Sequence, residues 1–386
     1  MHKIQRLGIG WARWAAVCAA LMLAWAVAPT AAVADVPSDV SNNSASLALP
    51  PADAPPAAEA ATDPGAILEK DLSLKLVPDL YADPAAPAPA AGGEKAPEAK
   101  PAEKPKHCPP LPLYNIEGNG GTLLVPMAYL VNCGFPGTGV SVPTIGYTFV
   151  RAGTKTVQEV HITEVLYRRI ELGYTMGTLD LGDFPADVQR VTGVDIGFQH
   201  VVVHNFNLRG MLLEEGKYNP AVTAGVTFKY NPDVQTIDRR LGGGVKALGL
   251  ARSNGTDFTL TATKTVIEPL LKRPVIFTGG IRFSQAAQLG YLGFGDAYRM
   301  TGEGSIVYLL TDWMGIAYEY RQKKNPYDTL TIGGNHLVRK EGAWQAIDLA
   351  FILSDRLTFA VGWLCAGPVA NGRVDNGWGF QLKYEF

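Results

Sequence analysis

An all-β fold, a transmembrane antiparallel β-barrel of about twelve strands behind a disordered Ala/Pro-rich arm, is what three features of the sequence predict. The composition changes near residue 112: sixteen of the 27 prolines lie between Asp35 and Pro112, whereas 37 of the 42 glycines lie from Leu113 onward, so two different polymers are joined there. Beyond that point apolar and polar residues alternate with period two in run after run. The connections between these runs alternate short and long. A soluble sandwich has no reason to order its loops by parity, but a membrane barrel with short periplasmic turns and longer external loops does. The balance of 47% hydrophobic and 18% charged residues with a net charge of −2 excludes a nucleic-acid binder acting through bulk positive charge, and is too apolar for a wholly disordered chain.

Residues 1–34 read as a secretory signal peptide, with basic His2-Lys3 and Arg6, an apolar stretch from Trp14 to Ala28, and Ala32-Val33-Ala34 as a small-residue cleavage site. The stretch falls short of the roughly 20 apolar residues of a spanning helix, and Arg13 interrupts it, which disfavours the alternative of an uncleaved anchor. Val17 before Cys18 argues against a lipoprotein signal. Residues 35–112 are dominated by Ala, Pro and small polar residues, as in Pro84-Ala-Ala-Pro-Ala-Pro89. They offer little apolar surface to offset an ordering entropy of about 1 to 2 kcal/mol per residue, and so form a disordered periplasmic linker. Within it, Leu68, Leu72, Leu76 and Leu80 stand four apart in the segment 67–81, a short amphipathic helix that Pro78 would fray. Two readings stay open for that helix, docking to a periplasmic partner and a transient turn that touches nothing. Of the cysteines after cleavage, Cys108 and Cys133 would close a modest loop as a disulfide and leave Cys365 over, and the pairing is equally open.

Residues 113–386 form the barrel domain. No uninterrupted apolar run there reaches the roughly 18 residues of a spanning helix. Twelve candidate strands fall near 122–131, 143–151, 157–175, 198–213, 220–230, 256–266, 273–284, 298–311, 313–322, 345–354, 356–365 and 376–386, and boundary freedom leaves ten or fourteen open. The last is the clearest. Trp378, Phe380, Leu382, Tyr384 and Phe386 share one face and Gly377, Gly379, Gln381, Lys383 and Glu385 the other, one suited to lipid and one to water. Short links are expected at 152–156, 214–219, 267–272, 312 and 355, and long external loops at 132–142, 176–197, 231–255, 285–297, 323–344 and 366–375. Two places resist the pattern. Lys264 falls on the outward face and must snorkel, and the register of strand 198–213 changes between Val201/Val203 and Phe206/Leu208, which a β-bulge near His204-Asn205 would reconcile.

The terminal aromatic strand resembles the C-terminal assembly signal of bacterial outer-membrane barrels, with Trp378, Phe380, Leu382, Tyr384 and Phe386 in that role. The opening segment Tyr114-Asn-Ile-Glu-Gly-Asn-Gly-Gly-Thr-Leu-Leu-Val-Pro-Met-Ala-Tyr-Leu-Val-Asn132, the run Gly255-Thr-Asp-Phe-Thr-Leu-Thr-Ala-Thr-Lys-Thr265 and the Tyr384-Glu-Phe386 ending are similar to the proteobacterial outer-membrane family called domain of unknown function 3034. Its opening motif is carried here by Glu117, Gly118, Gly120, Gly121 and Pro126. The resemblance implies a Gram-negative outer-membrane barrel and brings no catalytic residues with it.

Chemistry is sparse in the sequence. His200 and His204 share a strand face if no bulge intervenes but have no third ligand, and His336 has Asp328 and Asp348 near it in sequence only, so no metal, cofactor or enzyme activity is expected. Leu241-Gly-Gly-Gly-Val-Lys246 lacks phosphate-loop spacing. Lys323, Lys324, Arg339 and Lys340 read either as a basic rim for anionic lipopolysaccharide or as a solvated loop. Inward positions on these registers include Lys229, Arg282, Glu319, Arg321, Asp348, Lys383 and Glu385, with both signs of charge and no clear excess. The expectation is therefore a narrow or partly plugged passive channel, or a pore that helps move an envelope polymer. A structural anchor whose arm recruits periplasmic partners is the alternative, and a rim enzyme the second. Outer-membrane lipid, lipopolysaccharide, periplasmic chaperones and the barrel-assembly machinery are the expected partners, and nucleic acid is not.

Overall fold

The computed structural model describes residues 111–132, 139–250, 252–268, 272–332, 334–372 and 376–386. The signal peptide, the arm up to residue 110, the 67–81 helix and the Cys108–Cys133 pair lie outside the described residues.

The described residues open with two short strands, β1 (Leu113–Tyr114) and β2 (Gly120–Gly121), paired with each other. Twelve strands then follow among the described residues: β3 (Thr144–Ala152), β4 (Lys155–Leu166), β5 (Ile170–Asp180), β6 (His200–Leu213), β7 (Ala221–Tyr230), β8 (Asn254–Ile267), β9 (Pro274–Ala286), β10 (Phe294–Leu309), β11 (Met314–Arg321) and, beyond a small hairpin of β12 (Leu330–Ile332) and β13 (Asn335–Val338), β14 (Trp344–Ile352), β15 (Leu357–Cys365) and β16 (Asn376–Glu385). Each pairs antiparallel with its neighbour, and β16 returns to β3 from Gly377↔Ala152 to Glu385↔Thr144, which closes the barrel and leaves no open edge.

The burial pattern is inside out. Val160, Ile162, Phe206, Leu208 and Trp363 are about half exposed, while Thr148, His161, Thr175, Lys229 and Thr263 are wholly buried. In water that inversion would forfeit most of the hydrophobic stabilisation, whereas in hydrocarbon the outward apolar side chains are solvated and the closed ladder pairs each strand's backbone with both neighbours. The aromatic ladder Trp378, Phe149 and Phe380, with ring centroids 5.3 and 5.5 Å apart across the closing seam, belongs to this outer face.

Twelve strands are present, but two of the expected terms were wrong and cancel. Residues 122–131 form no strand. The segment 157–175 is not one strand but parts of two, β4 and β5, reversing at Tyr167–Arg169, where Tyr167 (φ 51°) and Arg168 (φ 59°) take the left-handed conformation that hairpin turns require. Neither is Gly or Asn, so the turn carries no compositional signal. The loop parity changes accordingly. One barrel end carries the short turns 167–169, 214–220, 268–273, 310–313 and 353–356; the other carries the long loops 181–199, 231–253, 287–293, 322–343 and 366–375. The tight link at 153–154, expected among the short turns, lies at the long-loop end, where the Thr154 hydroxyl donates to Asp183 (2.9 Å). Residues 139–142, expected in an external loop, instead run along the short-turn rim, with the Ser141 amide donating to the Val165 carbonyl.

β6 has no bulge at His204-Asn205. Its pairing with β5 runs unbroken from His200↔Asp180 to Gly210↔Ile170, and the irregularity lies at Met211/Leu213 against β7. Val201 and Val203 face inward because the lumen at the long-loop end is apolar. They pack there with Leu124, Val125, Leu179, Leu289 and Trp344 under helix α1 (Phe184–Thr192), while α2 (Val234–Arg240) and α3 (Gly244–Ala247) occupy the next long loop. A hydrogen bond from Asn371 (2.6 Å) ties α1 to the last long loop, and together with the Arg190 donor one turn along the same helix (2.9 Å) it keeps the Asp187 carboxyl below the usual range. Lys264 snorkels as expected, its ammonium 2.9 Å from Glu215 in a short turn.

Candidate functional site

The residues expected to form the first strand fill the lumen instead. From Pro112 at the short-turn rim the chain climbs between the walls to Glu117, turns through Gly118–Val125, and descends to Asn132, whose amide donates to Thr144 Oγ1 (2.8 Å) at the foot of β3. This irregular backbone sits at membrane depth, where it is tolerated only if protein groups satisfy it.

Side chains of the wall do so. The Glu319 carboxylate accepts the amides of Leu124 (2.9 Å) and Val125 (2.7 Å) and the Thr122 hydroxyl. Glu171 accepts the amides of Gly120 (3.2 Å) and Val131 (2.6 Å), and is itself bound by Arg209 (2.9 Å), whose guanidinium also donates to the carbonyls of Gly120 and Met127. Lys383 donates to the carbonyls of Pro112 and Val131, both at 2.6 Å, and Gln381 makes a two-way pair with the Tyr114 backbone. Tyr114 stacks on His161 with centroids 4.8 Å apart, over Gly146, where a Cβ would stand 2.5 Å from its ring.

Glu117 enters a cluster of three cations. Its carboxylate meets Lys229, Arg282 (3.0 Å) and Arg321 (2.8 Å). Asp257 bridges Lys229 (2.8 Å) and Arg282 (3.1 Å), and Glu303 binds Arg282 with two oxygens (3.1 and 3.2 Å). Three acids balance three bases, all buried, so no charge is left uncompensated within this cluster.

Of the sequence-predicted lumen residues, Lys229, Arg282 and Arg321 thus meet at Glu117, Glu319 and Lys383 grip the plug backbone, and Glu385 pairs with Lys383 (2.7 Å) nearer the rim. Asp348 faces the lumen away from that cluster, with both carboxylate oxygens buried and without a donor. The opening motif lies entirely in the plug. Gly118 has φ +85° and a Cβ there would stand 1.8 Å from Thr175 Oγ1, while Gly121, bridged to Pro126, has Val125 O where its Cβ would be, at 2.3 Å. Trp378, Phe380 and Leu382 face outward on β16, and Phe386 ends the chain half exposed at the short-turn rim. Glu171, Arg209, Asp257 and Glu303 were not singled out from the sequence. Period-two parity carries the signal for Asp257 and Arg209, but the merging of β4 with β5 hid Glu171.

The histidines are not brought together. His204 shares a hydrogen bond with Tyr174 (2.8 Å) on the outer face, His200 is exposed at the start of β6, and His336 pairs with Thr331 (2.9 Å) on the β12–β13 hairpin while Asp348 is inside the barrel. Among the described residues no group of three His, Cys, Asp or Glu side chains is placed to hold a metal ion. Lys323 is turned in rather than out, bound to Glu341 (3.1 Å) and lying 4.6 Å over the Trp344 ring, whereas Lys324 and Lys340 are exposed. The spaces beside the plug include two of about 50 Å³, and one of about 20 Å³ lies between Lys229, Arg299, Arg321 and Lys324.

A closed barrel with an apolar exterior, a polar interior and a segment of its own chain seated in the lumen defines a plugged outer-membrane β-barrel. The family described as Protein of unknown function (DUF3034) matches residues 112–383, and the chain belongs to it. The match takes in both the plug and the wall. No curated protein matches the sequence significantly. Among solved structures the chain is similar to a KdgM porin (11% identity, TM-score 0.36, covering 63% of this chain and 99% of that one), a NanC porin (9%, 0.39, 63% and 100%) and the outer membrane protein Omp33 of Acinetobacter baumannii (7%, 0.35, 64% and 98%).

Proposed function

We propose that this protein is a passive outer-membrane channel for small polar solutes, closed in the conformation described and opened when the plug loosens. The observation that carries this reading is the plug's mode of attachment: hydrogen bonds and one ionic cluster to a wall that is polar in its own right. An interior serving only as packing would be filled by apolar side chains, as the long-loop end is. With the plug withdrawn, Lys229, Arg282, Arg321, Asp257, Glu303, Glu319 and Asp348 would line the bore, and its width and these charges of both signs would set selectivity. In this reading the short turns and the arm face the periplasm, the long loops face outward, and no chemical step is involved.

Planar-bilayer conductance tests it. The wild type is expected to be mostly silent with rare openings, and Glu117→Ala, which leaves the cation cluster without its plug partner, is expected to raise the open fraction at least tenfold. Silence in both, in samples that keep the β-sheet circular dichroism and heat-modifiable migration of a folded barrel, overturns the channel. That result would favour the second reading, a structural anchor whose arm recruits partners. The dense bonding of the plug speaks for that reading, and the arm would then capture a periplasmic protein while conductance stayed nil.

A further inference from the structure

Beside the plug, facing β9–β11 and β14–β16, lies a crevice of about 50 Å³ lined by Met127 of the plug and Ile276, Val307, Ala317, Ala350 and Asp348 of the wall. That is several times the roughly 10–15 Å³ that seats one water molecule. Met127, Ile276, Val307 and Ala317 form one buried apolar cluster, so the crevice is a hydrocarbon slot with one charged group. Asp348 is 5% exposed and neither of its oxygens accepts a hydrogen bond. It lies over Gly362, its cross-strand partner, where a Cβ would stand 1.9 Å from Oδ1, so the wall is cut away to receive this carboxylate. Glu319 is within hydrogen-bonding reach of Asp348, but its own oxygens are taken up by Thr122, Leu124 and Val125.

A buried carboxylate that no donor reaches, and whose polar neighbour Glu319 is itself an acid, costs several kcal/mol, and a cation that brings its own donors offsets that cost. An inorganic cation would find two free oxygens and then hydrocarbon, far short of a coordination shell. A primary ammonium carries three donors on an alkyl stem and matches both halves of the slot, charge to charge and methylene to methylene. We propose that this crevice is a binding site for primary alkylammonium ions, with the ammonium on Asp348 and the chain along Met127, Ile276, Val307 and Ala317. The proposal does not depend on conduction, since it concerns an equilibrium on the closed barrel.

The test is calorimetric titration of the full chain in detergent with n-butylammonium chloride. Saturable binding is expected, with at least tenfold loss in Asp348→Asn, which removes the charge without changing shape, and in Ala350→Leu, which fills the slot with the carboxylate intact. Butanol, butyrate and potassium ion should not compete. No binding to the wild type, undiminished binding to Asp348→Asn, or displacement by potassium ion at equal concentration each overturns the site; the first would mark Asp348 and Glu319 as an acid pair sharing one proton.

Discussion

Glu117 shows how one residue can fasten a whole segment. It is the plug's carboxylate among Lys229, Arg282 and Arg321, and each of those guanidinium or ammonium groups is also committed to Asp257 or Glu303. Deleting one partner from a buried ionic set leaves the others uncompensated, a loss of about 3 to 5 kcal/mol. Glu117→Gln is therefore expected to lower unfolding stability in detergent by that order, as read from the denaturant midpoint. Asp187→Asn, at an exposed ion pair over the long-loop end, should change it by less than about 1 kcal/mol. The flanking glycines serve the same contact from the backbone side, since Gly118 both turns left-handed and clears Thr175. Sequence alone placed Glu117 and its glycines in a motif without a role. The partners come from alternate strands of one side of the barrel, β7, β9 and β11, 112 residues away for Lys229 and 204 for Arg321, and no local pattern encodes that separation.

At the scale of the element, legibility followed periodicity. β7, β8, β11, β14 and β16 alternate cleanly over eight or more residues and lie within two residues of the expected bounds. The two failures have physical causes. Residues 122–131 mix apolar and small side chains as a strand does, but their amides are met by Glu319, Glu171 and Thr263 of the wall, so they need no neighbouring strand. The β4–β5 reversal is made by Tyr167 and Arg168, side chains that bear a strain cost in left-handed backbone, so nothing in the composition marks it. That strain is removable. Replacing Tyr167-Arg168 by Asn-Gly is expected to stabilise the barrel by about 1 kcal/mol, seen as a higher unfolding midpoint with unchanged strand content. An unchanged or lower midpoint would mean that the two side chains hold contacts worth more than the strain.

The whole molecule is organised by the inversion of its two faces, and here the sequence was most informative, because exterior and interior alternate residue by residue on nearly every strand. The lipid-facing surface tolerates charge poorly at mid-depth: Leu208→Arg is expected to cost about 2 to 4 kcal/mol in bilayer refolding experiments. The neighbouring inward Asn207, which donates to the Glu117 carbonyl (2.8 Å), should respond instead through plug seating. What alternation could not convey is that the lumen is filled from within the same chain and that both ends of the filling segment lie at one rim, Pro112 on Lys383 and Asn132 on Thr144. That arrangement has a topological result. A hairpin entering and leaving by the same door can slide out and back without any terminus being threaded through the cylinder, so a bulky polypeptide upstream of Leu111 would not snag on the passage, and a pull on it from that side would act on the hairpin as on a cork's string.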